Sequence, residues 1–189
     1  MQLLVSKRAD VNAKDNTGGT ALIYAAENGN VEAAVLPLGN GAGVNAVGMN
    51  NDQTTTALLH AAANGMATVT ALLLVAKRAN VNAKGNDGAT ALICATENGS
   101  TGMTKLLLDD GASVNAHDKE RKTALFHAAT NGVADATKLL LDDGTDTNVK
   151  DAHGNTALMS AAANGVAEPT RLLLARAASV NEGCRHVGS

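Results

Sequence analysis

Aromatic side chains are almost missing from this 189-residue sequence: Tyr24 and Phe126 are the only two, and there is no tryptophan. An interior without large rings has to close-pack small and aliphatic side chains, and leucine and alanine dominate here. Cysteine is scarce as well. Cys94 and Cys184 make no disulfide framework and fit a reducing compartment. A cytoplasmic location is expected, with a nuclear one left open. No apolar run approaches the ~20 residues that span a bilayer, and "MQLLV" falls short of the ~7–15 apolar residues of a secretory signal. The formal net charge of −3 gives no basic surface, which speaks against nucleic acid or an anionic membrane as a general partner. A glycine-rich phosphate loop, paired catalytic acids and metal-ligand spacing are absent too. No enzyme activity, cofactor, metal or small-molecule ligand is expected.

What the chain has is repetition. Thr-Ala-Leu starts at Thr20, Thr56, Thr90, Thr123 and Thr156, at intervals of 36, 34, 33 and 33 residues. Asn-Gly follows eight residues after each Thr, at Asn28, Asn64, Asn98, Asn131 and Asn164. Val-Asn closes the units at Val11, Val44, Val81, Val114 and Val180, with Thr147-Asn148 as the variant. Within one unit, "TALFHAATNG" sets Leu125, Ala128 and Ala129 on one helical face, with Thr123 as N-cap or turn residue and Gly132 as the stop. "VADATKLLLDDG" supplies a second helix from Val133 to about Asp142, ended by Gly144. One such helix pair cannot bury its apolar face alone, whereas a stack of them can.

The pattern D-x-x-G-x-T-A-L-x-x-A-A-x-N-G…L-L-L-x-x-G-A-x-V-N-A resembles the ankyrin repeat. The resemblance implies an all-α solenoid of stacked helix-turn-helix units with extended turn or hairpin fingers. Its units are a truncated half repeat at 1–14, repeats at 15–50, 51–84, 85–117, 118–150 and 151–183, and a stub at 184–189. Three departures matter. The family's Pro after Thr is always Ala here. Its His after Leu is Ile23, Leu59, Ile93, Phe126 or Met159, so the joints are expected to rely on packing where that His would tie neighbouring turns. Turn glycines Gly18, Gly88 and Gly154 are kept, but Thr54 and Arg121 stand at the equivalent places. Gly41, Gly111 and Gly144 end second helices, where other units have Arg8, Arg78 and Ala177. A side chain forced into the left-handed region costs about 1 kcal/mol or more. Those joints are expected to be looser or to end their helices differently.

The first full unit departs furthest. "VLPLGNGAGVNAVGMNNDQ" puts Pro37 inside a helix, at a cost of roughly 3 kcal/mol, and inserts three residues before Thr56. A degenerate unit is the simpler reading; a protruding loop near Met49 that touches a partner is the other. Neither end shows the polar outer face of a capping unit, so a fragment of a longer repeat array is expected, or a poorly capped one that frays; the protein is expected to be monomeric or part of a longer chain.

One column collects reactive side chains: Tyr24, His60, Cys94, His127 and Ser160. Adjacent members are about 8–10 Å apart, too far for several ligands to reach one zinc ion at about 2.0–2.3 Å. The column reads as semi-buried spacers, with a Cys94–His127 enzyme or metal site as the remote alternative. Along the loops after the second helices, Lys7-Arg8 and Lys77-Arg78 are basic, and Asp109-Asp110 and Asp142-Asp143 are acidic. A solvated edge is the simple explanation, and head-to-tail association or partner steering the other.

The resemblance also implies a binding surface on finger tips and first helices. Carried over, the tips are Asn16, Thr17, Gly19, Asn86, Asp87, Ala89, Lys119, Glu120, Lys122, Ala152, His153 and Asn155. The helices add Glu27, Asn28, Ala63, Asn64, Glu97, Asn98, Thr130, Asn131, Ala163 and Asn164. The Asn residues before Gly are expected to cap helix ends. Those of the Val-Asn pairs (Asn12, Asn45, Asn82, Asn115, Asn148 and Asn181) are expected to hold turns by side chain–backbone bonds. The expected function is non-catalytic binding of a partner protein of unstated identity, and the alternative is a structural spacer within a longer array.

Overall fold

The computed structural model describes residues 9–50, 53–76 and 79–185. The helix of the N-terminal half repeat, the pairs Lys7-Arg8 and Lys77-Arg78, and the side chain of Cys184 lie outside the described residues. Five helix pairs follow one another. They are α1 (Ala21–Glu27) with α2 (Val31–Gly39), α3 (Ala57–Ala63) with α4 (Ala67–Val75), α5 (Ala91–Glu97) with α6 (Thr101–Asp109), α7 (Ala124–Thr130) with α8 (Ala134–Asp142), and α9 (Ala157–Ala163) with α10 (Ala167–Arg185). Each pair packs on its immediate neighbours, which gives an all-α solenoid.

The local chemistry repeats with the sequence. Each Thr of Thr-Ala-Leu is an N-cap in extended conformation whose Oγ1 accepts from the backbone N–H three residues on. Each Asn-Gly is a C-cap Asn followed by a left-handed Gly, as at Gly132 with φ 79°. Leu22, Leu92, Leu125, Leu73, Leu107 and Leu140 are buried, and alanines fill the space between the helices.

The units are also tied by hydrogen bonds, which corrects the expectation of joints held by packing in place of the missing His. Asn Nδ2 donates across four seams: Asn64 to the Glu27 carbonyl at 3.1 Å, Asn98 to Ala63 at 2.7 Å, Asn131 to Glu97 at 3.3 Å and Asn164 to Thr130 at 3.4 Å. These residues therefore do more than cap their own helices. Four of the six Val-Asn and Thr-Asn residues, Asn12, Asn45, Asn82 and Asn115, hold turns as expected, but the turn of the next unit. Asn12 Oδ1 accepts from Gly43 N–H at 2.7 Å, Asn45 from Asn80, Asn82 from Ser113, and Asn115 from Asp146. Finger backbones join as well, with Lys119 N–H donating to Asp87 O at 2.7 Å and Ala152 N–H to Glu120 O at 2.8 Å.

The irregular positions resolve in four ways. Arg121 takes the left-handed conformation that glycine vacated, with φ 61°, and its Nε donates to the Lys150 carbonyl at 3.3 Å. The insertion before Thr56 forms an antiparallel hairpin, β1 (Gly48–Asn50) with β2 (Gln53–Thr55), so Thr54 sits in extended backbone. Pro37 lies in the last turn of α2, which closes two residues later at Gly39. At the far end the expected turn at Val180-Asn181 does not form: α10 runs through it to Arg185, because Ala177 offers no left-handed stop.

Candidate binding groove

First helices contact their neighbours more extensively than second helices do, and the clefts of the stack lie on the first-helix side. The fingers project from the same side. Three clefts follow one another between fingers and first helices. The first, about 280 Å³, is lined by Thr17, Gly19, Ile23, Tyr24, Glu27, Met49 and His60. The second, about 320 Å³, is lined by Asp87, Ala89, Glu97, Asp118, Lys119, Glu120, Lys122 and His127. The third, about 290 Å³, is lined by Lys122, Phe126, Thr130, Asp151, Asn155, Met159, Ser160, Ala163 and Asn164.

Of the sequence candidates, the second cleft gathers Asp87, Ala89, Glu97, Lys119, Glu120 and Lys122. Thr17 belongs to the first, and Thr130 and Asn155 to the third. Asn16, Asn86, Ala152 and His153 are exposed on finger tips and line none of the three. Ala89 is only 7% exposed, so it contributes a wall of the cleft and little contact surface.

The reactive column splits by partner. Tyr24 Oη donates to Asp15 Oδ2, nine residues earlier in its own finger. That bond and those from Thr17 and Gly19 hold the Asp15 carboxyl well below the usual carboxylate range, and Asp15 in turn raises the Tyr24 phenol. His127 makes the same i to i+9 contact: Nε2 lies 3.1 Å from Asp118 Oδ2, while Nδ1 lies 3.4 Å from Glu97 Oε1 across the seam. His60 is 8% exposed, and burial pulls its pKa down, against the nearby Glu27 charge. Burial, with the Glu97 and Asp87 charges, pushes the half-buried Cys94 thiol up to about 12. The imidazole that would activate Cys94 is engaged by two carboxylates, and a protonated thiol is a poor nucleophile. Among the described residues, no group of three or more His, Cys, Asp or Glu side chains is placed to hold a metal ion.

The fingers are braced from within. Asp118 Oδ1 accepts from Lys122 N–H at 2.8 Å, and Asp151 Oδ1 from His153 and Asn155 N–H at 2.9 and 2.8 Å. Burial opposes ionisation of Asp151, yet these N–H groups hold its carboxyl below the usual range. Lys122 Nζ lies 2.6 Å from Glu120 Oε2 and 5.6 Å from the Phe126 ring centroid. Sequence reasoning missed the Asp15–Tyr24 and Asp118–His127 struts. The signal available was an Asp five residues before the Thr, paired with a polar residue four after it.

Among the described residues, no helix is long and apolar enough to cross a membrane. Family models described as ankyrin repeats match residues 1–36, 35–118 and 112–183. No curated protein matches the chain.

Proposed function

The chain belongs to the ankyrin-repeat family, and from that premise we propose that it is a non-catalytic module that binds a partner protein along its concave, first-helix face. The observation that carries the reading is the contrast between frame and lining. Caps, seam asparagines and buried leucines recur from unit to unit. The cleft linings do not: Tyr24 and Met49 stand in the first, Asp87, Glu97 and Glu120 in the second, and Phe126 and Met159 in the third. A fixed scaffold with variable clefts suits recognition through a few anchors. The spent His127 and the protonated Cys94 thiol speak against an enzyme at that column.

A photo-reactive residue placed at Glu97 tests the proposal, with Lys138 on the opposite side as control. The reading expects one protein captured from Glu97 and not from Lys138, and lost when Lys119, Glu120 and Lys122 are reversed in charge. Equal capture from both positions, or capture indifferent to the reversal, would favour a spacer that binds nothing through this face.

A further inference from the structure

The ring of His127 stands between two units of the stack, and both of its nitrogens face carboxylates. Nε2 lies 3.1 Å from Asp118 Oδ2, on the finger of its own unit. Nδ1 lies 3.4 Å from Glu97 Oε1, on the last residue of α5 in the preceding unit. A neutral imidazole carries one N–H and one lone pair, so it donates to one carboxylate only. An imidazolium carries two N–H groups and donates to both. One of the two contacts therefore depends on the second proton.

The surroundings decide which contact is lost with that proton. The Asp118 side chain is 13% exposed, and its Oδ1 is held by Lys122 N–H at 2.8 Å. The Glu97 side chain is 47% exposed, and its contact with the ring is the longer one. Glu97 has water to turn to and Asp118 has little. The neutral ring accordingly keeps its N–H at Nε2, on Asp118, and leaves a bare Nδ1 opposite the lone pairs of Glu97. The other charged groups around this cleft are Asp87, Lys119, Glu120 and Lys122, the last two paired with each other. Cys94, on α5, is held in its neutral thiol form. On the far side, α9 carries no titratable side chain. The charged residues of α8, Asp135, Lys138 and Asp142, are exposed and line no part of the cleft. His60 stands in the same column but is buried, and burial draws it away from its charged form.

We propose that His127 is a proton-operated clasp between the third and fourth units. Charged, the ring joins Glu97 to Asp118 and ties the end of α5 to the finger that precedes α7. Neutral, it stays with Asp118 and releases Glu97 into the second cleft, which loosens the seam on its first-helix side. The clasp acts within the chain, so it stands or falls separately from the partner-binding reading.

Nuclear magnetic resonance of the full chain between about pH 5 and 8, the range in which histidine changes charge, tests it. The His127 ring is expected to carry two protonated nitrogens at the acid end and the Nε2–H tautomer at the alkaline end. The Glu97 carboxyl resonance is expected to move in step with the ring. The Lys119 amide reports the seam, because it donates across it to the Asp87 carbonyl at 2.7 Å. Corrected for the intrinsic effect of pH, its protection from exchange is expected to be about threefold higher at the acid end, as one exposed ion pair would give. In Glu97→Gln, the new amide can donate to the bare Nδ1 or accept from Nδ1–H, so this pH dependence is expected to vanish. The proposal is overturned by an Nδ1–H tautomer at the alkaline end. A Glu97 resonance indifferent to the charge on the ring overturns it too, as does Lys119 exchange with the same pH dependence in both proteins.

Discussion

Arg121 and Gly88 stand at equivalent turn positions, both with positive φ, at 61° and 80°. The arginine carries left-handed strain of about 1 kcal/mol and recovers part of it through its exposed bond to Lys150. Arg121→Gly is therefore expected to leave stability unchanged or raise it by up to about 1 kcal/mol in urea unfolding. Gly88→Ala is expected to cost more than Gly154→Ala. A Cβ at 88 would meet Lys119 N at 3.0 Å, whereas one at 154 meets nothing within 4 Å. Equal losses would show that the finger backbone yields. Cys94 gives a second residue-scale test. In a Cys184→Ser background, its alkylation at pH 8 is expected to be at least tenfold slower in the native chain than in urea, since its thiol lies near 12 and a free one near 8.5. Matching rates would remove the argument against a reactive thiol. The Thr caps and Asn-Gly stops were readable from the sequence because each acts within its own turn. The bond from Asn98 to Ala63 was not, because only the folded backbone brings the two within reach, and the Asp118–His127 strut left no more than a residue spacing in the sequence.

At the scale of elements, the first pair is built least like the rest. The α2 helix spends a position on Pro37, and Val35 and Val47 are about half exposed. By contrast α6 and α8 bury Met103, Leu107, Leu140 and Leu141. Amide exchange is expected to be faster over 31–47 than over 101–114 and 134–145, in native conditions. Equal protection would mean that the neighbouring pair fully compensates for the proline. The helix pairs were legible because three markers keep one period. The hairpin at Gly48–Thr55 was not, because three extra residues only say that a turn grew, and pairing depends on register with the finger beside it. The overrun of α10 was half legible: Ala177 signalled a missing stop, but not how far the helix would continue.

At the scale of the molecule, cover comes only from adjacent pairs, with no shared centre. Leu107 is fully buried between neighbours, and Leu107→Ala is expected to cost about 2–5 kcal/mol locally. Because couplings are nearest-neighbour, that loss is expected to separate unfolding of the two flanks, seen as non-coincident transitions when each flank carries its own probe. A single shared transition at lower urea would show cooperativity reaching beyond adjacent pairs.

The asparagines that cross the seams also set how the protein ages. Asn64, Asn98, Asn131 and Asn164 each precede a glycine, the neighbour that least obstructs backbone attack on a side-chain amide. Deamidation would replace a donating nitrogen with an oxygen that can only accept. At Asn98 the new carboxylate would face the carbonyls of Ala62 and Ala63, so lone pairs would oppose lone pairs where a bridge had been. Chemical wear on this chain is thus concentrated at the contacts that hold one unit to the next.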